Sequence, residues 1–344
     1  MKKILILGLL LLVACGKEKF IPNNYSEVVV EEIYSDSVSI RALTLMQGSV
    51  GFAGSGNIFG IYNIPEAKVI TQKMKQDSLA LEFRAVASTN TDFFMLTVGN
   101  PALLYKTGDN GAMELVYRED HEKVFYDAMK FWNDKEGIAM GDPIANCMSI
   151  IVTRDGGKTW NKISCDALPG IEEGEAAFAA SNTNIAIVGE KTWIATGGSK
   201  ARIYFSPDKA KTWKVYNTPI IQGKPTQGIY SIDFYDEMNG IIMGGDYTKP
   251  DNNQANKAVT KDGGKTWQLV GKGQEPGYRS CVQYLPGREA KELMVVGFKG
   301  ISFSNNGGET WKKISDEPFY TIRFLNDSVA FAAGKNRMAR LNFK

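Results

Sequence analysis

The sequence predicts an all-β fold, a closed ring of seven small antiparallel sheets with four strands each. Three observations carry that prediction. One eight-residue motif recurs four times, as TRDGGKTW at 153–160, SPDKAKTW at 206–213, TKDGGKTW at 260–267 and SNNGGETW at 304–311. A second pattern, a short apolar run ending in glycine, recurs seven times along the chain. Residues 28–344 divided into seven units give about 45 residues apiece, the length of a four-stranded blade.

The first element is a leader. Met1-Lys2-Lys3 precede an unbroken apolar run at 4–14, then Cys15 and Gly16-Lys17-Glu18-Lys19. The run is too short to span a membrane, which takes about 20 residues. A positive start, a short apolar segment and a small-residue cut site are the marks of a secretory signal peptide. The string Leu12-Val13-Ala14-Cys15 resembles the lipobox of bacterial lipoproteins. That resemblance implies a signal peptide at 1–14, lipidation of Cys15, a polar tether at 15–27 and a lipid-anchored place at the cell envelope. Acyl chains contribute about 0.8 kcal/mol per buried CH₂. The whole chain of 344 residues carries 40 Lys and Arg against 38 Asp and Glu. Without Lys2 and Lys3 the balance is 38 against 38, which argues against a nucleic-acid partner, usually met by a basic excess.

The repeated motif reads as a turn. Asp and Asn bond to nearby backbone and tolerate unusual dihedrals, and glycine supplies positive φ at no steric cost. The leading Ser or Thr adds a second local hydrogen bond, and the Trp offers an apolar face where the next strand starts. Apolar runs flank the turns, as in Ser149-Ile150-Ile151-Val152, so each copy predicts a hairpin. Asp155 and Trp160, Asp208 and Trp213, Asp262 and Trp267, and Asn306 and Trp311 are the structural pairs. Asn306 stands in place of Asp and Ala210 in place of Gly, and those two turns are expected to be looser. A worn copy without Trp starts at Thr107. The third motif positions, with the worn copy, are spaced 46, 53, 54 and 44 residues apart. The glycine-ended runs close on Gly54, Gly99, Gly141, Gly197, Gly244, Gly297 and Gly334, and their continuous apolarity suits strands buried on both faces. The last unit lacks a strand, and the run at 28–33 is placed to supply it and remove an open edge.

Three further cysteines follow Cys15. Cys147 and Cys165 each lie nine residues from Gly156, so in a hairpin they fall opposite each other. A disulfide between them is one expectation, permitted by export, and two buried thiols the other. His121 is alone and no CxxC occurs, so no metal site is expected.

The motif S/T-x-D-x-G-x-T-W resembles the Asp-box, or BNR, repeat. That resemblance implies that each copy joins the two outer strands of a β-propeller blade, as structure and not as catalyst. With the glycine-ended strands, the full arrangement resembles the photosystem II assembly and stability factor family of seven-bladed β-propellers, over nearly all of the mature chain. The resemblance implies a binding or assembly role, with an envelope protein, peptide or glycan as partner, no cofactor and a monomeric chain.

In a propeller the loops into each innermost strand and out of the next ring one channel mouth. Repeat alignment puts Arg41, Arg84, Asp127, Glu175, Tyr230, Arg279 and Tyr320 at the first set. Asn57, Asn100, Asp142, Lys200, Asp246, Lys299 and Lys335 fall at the second. The candidate ligand ring is Arg41, Arg84, Asp127, Asp142, Tyr230, Asp246, Arg279, Lys299 and Tyr320. The polar insertion at 246–256 is on the same rim, where insertions mark binding faces. Arg41, Arg84 and Arg279 suit a carboxylate. An enzymatic alternative is a sialidase-like glycoside hydrolase, with those arginines as a triad, Tyr230 or Tyr320 as nucleophile and Asp142 or Asp246 as acid. Against it, the Arg-Ile-Pro string of sialidases is missing and sialidases have six blades. No GxGxxG, CxxC or CxxCH supports an oxidoreductase. Phe93, Phe94, Phe131 and Trp132 read as blade packing, and 172–175 as a solvated acidic loop.

Overall fold

The computed structural model describes residues 20–75, 79–108 and 111–344. The leader at 1–14, Cys15, and Asp109 and Asn110 of the worn copy lie outside the described residues. The fold is a seven-bladed β-propeller of four-stranded antiparallel blades. Blade 2 shows the pattern, with Phe83–Ser88 innermost, then Phe93–Thr97, Ala102–Thr107 and Met113–Glu119. The core is divided between neighbouring blades. Phe94 of blade 2, for example, lies 4.6 Å from Phe131 of blade 3, with Trp160 edge-on to both.

Ring closure is made by the two ends of the chain. The strand Val28–Met46 serves two blades: residues 28–35 are outermost in blade 7 and residues 39–46 innermost in blade 1. Val28, Val29 and Val30 pair with Phe343, Asn342 and Leu341. The stretch read as a tether is also bound from Phe20 onward, because Tyr25 fills a gap between Phe303 and Phe343.

The four repeated turns join the third and fourth strands of blades 3 to 6. In the first, the Thr153 hydroxyl donates to Asp155 Oδ1 at 2.9 Å and accepts from Gly157 N–H, while Asp155 accepts from the N–H and hydroxyl of Thr159. The copies expected to be looser keep the same partners, with one side-chain bond reversed at Asn306. Ala210 N–H reaches Ser206 Oγ at 2.8 Å, and Asn306 Oδ1 takes Thr310 N–H at 3.0 Å while its Nδ2 donates to Thr310 Oγ1. Ala210 does so at φ +67°, with its methyl buried among the side chains of that interface. Each turn's fourth residue also donates its N–H to the loop between the first two strands of its own blade: Gly156 to Lys135 O, Lys209 to Glu190 O, Gly263 to Met238 O and Gly307 to Lys291 O. Both loop sets therefore share one end of the ring, here called the turn face. Cys147 and Cys165 are joined by a disulfide. Glu175, read as part of a solvated acidic loop, is instead buried on Arg202.

Two outcomes follow. Deleting residues 28–33 exposes the edge of Val329–Phe343 and lowers Tm, measured by calorimetry. Burial raises the carboxyl pKa of Asp155, Asp208 and Asp262, but the hydrogen bonds outweigh it and hold all three below the usual range. Their stabilisation is present above the ordinary carboxylate pKa of about 3.9 and lost as pH falls through the folded value. The triple variant Asp155→Asn, Asp208→Asn, Asp262→Asn, which repeats the amide already present at Asn306, loses less Tm between pH 5 and pH 3 than the parent.

Candidate functional site

The inner strands carry the means to aim side chains into the bore. In blades 1, 2, 3 and 5 the pairing of the innermost strand with the second slips by one residue. The extra residues are Arg41, Arg84, Asp127 and Tyr230. A bulge leaves its extra residue outside the ladder and redirects it. In blades 1, 3 and 5 the glycine closing the second strand is required by this close approach. A Cβ on Gly141 meets the carbonyl of Phe125, and one on Gly244 meets that of Gly228. In those three blades the second sequence pattern is thus the partner of a bulge, whereas a Cβ on Gly99 of blade 2 meets open space.

Blade 4 departs from the rule. Gly197 pairs with Ala176, and Ala195 N–H bonds to Asn184 O, so residues 177–183 loop out where other blades have a bulge. They cross the bore and bond to the inner strands of all six other blades. Ala180 O accepts from Arg41 at 3.3 Å, and Asn182 Nδ2 donates to Val86 O at 2.7 Å. Asn182 Oδ1 accepts from Met129 N–H at 2.9 Å, and Thr183 O accepts from Ile232 N–H at 2.9 Å. Ser181 Oγ donates to Ser280 O at 2.6 Å, and Ser181 O takes Thr321 Oγ1 and Arg323 Nη2. Nothing in the composition of this segment singles it out; its one sequence trace is the long spacing of 53 residues between the first two full motifs.

This plug divides the bore. Toward the turn face is a chamber of about 230 Å³ with Lys130, Asp233 and Arg323 on its walls. At the other mouth is a chamber of about 360 Å³ whose walls include Arg41, Arg84, Asp142, Tyr230 and Tyr320. Tyr247, from the insertion expected on this rim, also lines it, together with four aromatics not foreseen: Phe125, Phe178, Tyr278 and Phe298. Phe178 of the plug stacks on Tyr230 at 3.9 Å, Tyr278 stands edge-on to Tyr230 at 4.7 Å, and Phe298 lies 5.5 Å from Tyr278. Tyr247 and Phe298 are exposed at the rim. The insertion at 246–256 builds this wall, since Pro250 O accepts from Tyr278 N–H. Buried Lys257 fastens the insertion by donating to Asn256 Oδ1, Gln274 O and Pro276 O, all at 2.9 Å. Burial lowers the pKa of Lys257 to about 8, helped by Arg279.

The electrostatics favour an anion. Arg41 sits 4.0 Å over the Tyr320 ring, and its Nε is buried without an acceptor among the described residues. Burial and the neighbouring Arg84 both lower its pKa. Arg84 is paired with Glu82 at 2.7 Å. Asp142 accepts from Ala177 N–H at 2.7 Å, and burial raises its pKa to about 6.

Four members of the sequence ring do not line the chamber. Asp127 is fully buried behind it, both oxygens without a partner among the described residues, its pKa pushed well up by burial and by Asp142. Asp246 turns back to cap Thr248 at 2.6 Å. Lys299 pairs with Asp251 at 3.1 Å. Arg279 is 4% exposed and donates to Tyr278 O. In blade 6 the residue matching Arg41 is Ser280, since Cys281 pairs with Val296 as Ala42 does with Ala53. The slip of one residue turns Arg279 aside and puts Tyr278 and Ser280 on the wall. The three arginines of the hydrolase alternative are therefore not brought together.

Ionising Asp142 in this setting costs stability, so its contribution is complete below pH 4 and lost as pH rises through about 6. Asp142→Asn keeps the acceptor for Ala177 and is expected to raise stability at pH 7 by about 1–2 kcal/mol, a gain that vanishes near pH 4 in urea denaturation.

No protein-family model and no curated protein sequence matches the chain. Solved structures do match its fold. A structure described as YCF48 bound to D1 peptide aligns with TM-score 0.64 at 13% identity, over 94% of this chain and 97% of that one. YCF48 from Cyanidioschyzon merolae gives 0.61 at 11%, over 92% and 98%. The WD40 repeats of RRP9 give 0.62 at 10%, over 95% and 100%. At these identities the likeness is one of fold.

Proposed function

We propose that this chain is an exported, lipid-anchored propeller that captures a segment of another envelope protein at the aromatic mouth of its bore, in an assembly or quality-control role. The observation that carries this reading is the blind chamber. It sets two adjacent guanidiniums, one with a buried Nε lacking an acceptor among the described residues, inside a wall of aromatic rings. Such a site takes a carboxylate carried on an apolar body: the arginines bind the acid and the rings cover the rest. The plug makes the chamber a dead end, so it receives a side chain or a chain end rather than a threaded strand. A propeller of similar fold is described as holding a peptide, and the repeat pattern resembles that of assembly factors. Cys15 as the lipidated first residue gives the protein its place.

Binding to a panel of labelled peptides and acidic oligosaccharides tests this, read by fluorescence anisotropy. Peptides with an acidic group beside an aromatic or aliphatic residue are expected to bind, and Arg41→Ala to weaken them about 10- to 100-fold, a charge-assisted hydrogen bond being worth about 1.5–3 kcal/mol. Arg41→Lys recovers only part, because an ammonium lacks the planar fork. Tight binding by the oligosaccharides alone, or peptide binding indifferent to Arg41→Ala, overturns the reading.

A further inference from the structure

The chain ahead of blade 7 is strapped to blade 6, and every fastening is at the turn face, opposite the aromatic chamber. The Phe20 ring lies 5.0 Å from the Arg288 guanidinium and 4.1 Å from the Lys291 ammonium. Arg288 Nη2 donates to Ile21 O at 2.6 Å. Asn23 gives its N–H and its Nδ2 to the two oxygens of Glu292, at 2.7 and 2.8 Å, and its carbonyl accepts from Asn305 Nδ2 at 3.0 Å. Glu292 is fully buried and held from its other side by Arg288, so undocking the strap leaves a buried carboxylate short of donors. Tyr25 then packs on Phe303 and Phe343 with its hydroxyl on Asp327 O. Arg288, Lys291 and Glu292 lie in the loop between the first two strands of blade 6 and Asn305 in its repeated turn, the two loops joined by Gly307 N–H on Lys291 O.

We infer that the strap sets the orientation of the ring on its membrane, with the turn face toward the bilayer and the aromatic chamber opening away from it. The inference rests on the reading of Cys15 as the acylated residue. Four residues separate Cys15 from Phe20, and the five Cα–Cα steps span at most about 18 Å. From the turn face that length reaches the bilayer directly. To lay the chamber mouth on the bilayer, the same length has to climb the whole height of blade 6. The four Cα steps of Gly300–Ser304 alone cover about 14 Å of that height, the loops at both ends add to it, and the mouth lies farther in toward the ring axis. A docked strap therefore forbids the inverted pose. The partner of the chamber is accordingly a polypeptide presented from the aqueous side, either soluble or standing clear of the surface, and not a group embedded in the same leaflet.

The test uses the full-length lipidated protein on phosphatidylethanolamine–phosphatidylglycerol vesicles containing a bilayer-embedded spin-label quencher. A single fluorophore is attached at Lys299→Cys or at Glu309→Cys. Both residues are exposed and flank Gly300–Ser304 at its two ends, and the free thiol of Cys281 is buried. Quenching at position 309 is expected to be at least threefold that at 299. Asn23→Ala with Tyr25→Ala, which loosens the strap, narrows the ratio while the protein stays on the vesicles. Equal quenching at the two sites, or stronger quenching at 299, overturns the orientation. Co-sedimentation in the same samples, with Cys15→Ala as control, separates the two failures: a parent protein that does not sediment overturns the anchor and the orientation drawn from it, whereas sedimentation with equal quenching overturns the orientation alone.

Discussion

Seven sheets converging on one axis leave seven inner edges, and the backbone groups on those edges need partners once water is excluded. The rest of the molecule answers that need. Residues 177–183 supply much of the partnership by crossing the bore, and Asn182 alone serves two blades, giving a donor to Val86 O and an acceptor to Met129 N–H. Side chains supply more, as where Ser231 Oγ takes Val282 N–H at 2.9 Å. A bore closed in this way cannot be a conduit. It becomes two shallow chambers back to back, and the chemistry of each is set by which residues the inner strands turn toward it.

The two ends of the ring are specialised by the same local geometry. At the turn face, carboxylate- or amide-clipped turns are bonded to the neighbouring loops of their own blades, and indoles lock them to the sheets: Trp193 of blade 4 stacks on Phe234 at 3.8 Å and donates to Gly263 O in the turn of blade 5. At the other face, bulges lift single residues out of the ladder and a buried lysine holds a long insertion upright. Repeated, hydrogen-bonded turns gather at one end and blade-specific side chains at the other, where Tyr247 and Phe298 are exposed at the rim.

The architecture was legible in the sequence because it is written in periodic, local signals. The turns need Asp or Asn and positive φ at fixed offsets, three of the second strands need a small residue opposite a bulge, and an apolar run at 28–33 fits the missing strand. The site was legible only in part. Arg41, Arg84, Asp142, Tyr230 and Tyr320 follow from repeat alignment, since each keeps its blade's phase. Arg279 does not, because the innermost strand of blade 6 starts at Cys281 and a shift of one residue exchanges the two faces. Phe178 and the plug were hidden for a different reason: a segment that satisfies six partners through backbone carbonyls and short polar side chains has no period of its own. Tyr278 reaches the chamber through a segment whose path depends on tertiary contacts of Lys257 and Asn256 with Pro276 and Gly277, and Phe298 through the two-residue turn between Leu293–Gly297 and Gly300–Ser304.

The closed bore is the claim on which the chamber, its dead end and its ligand chemistry all stand. Native-state amide hydrogen exchange at Met129 tests it most directly, because that N–H faces the bore and its acceptor is the side chain of Asn182. The account predicts protection at Met129 comparable to that of sheet amides in the same strand, with Asn182→Ala releasing Met129 selectively. Exchange at Met129 as fast as at a solvent-exposed loop in the parent protein contradicts it.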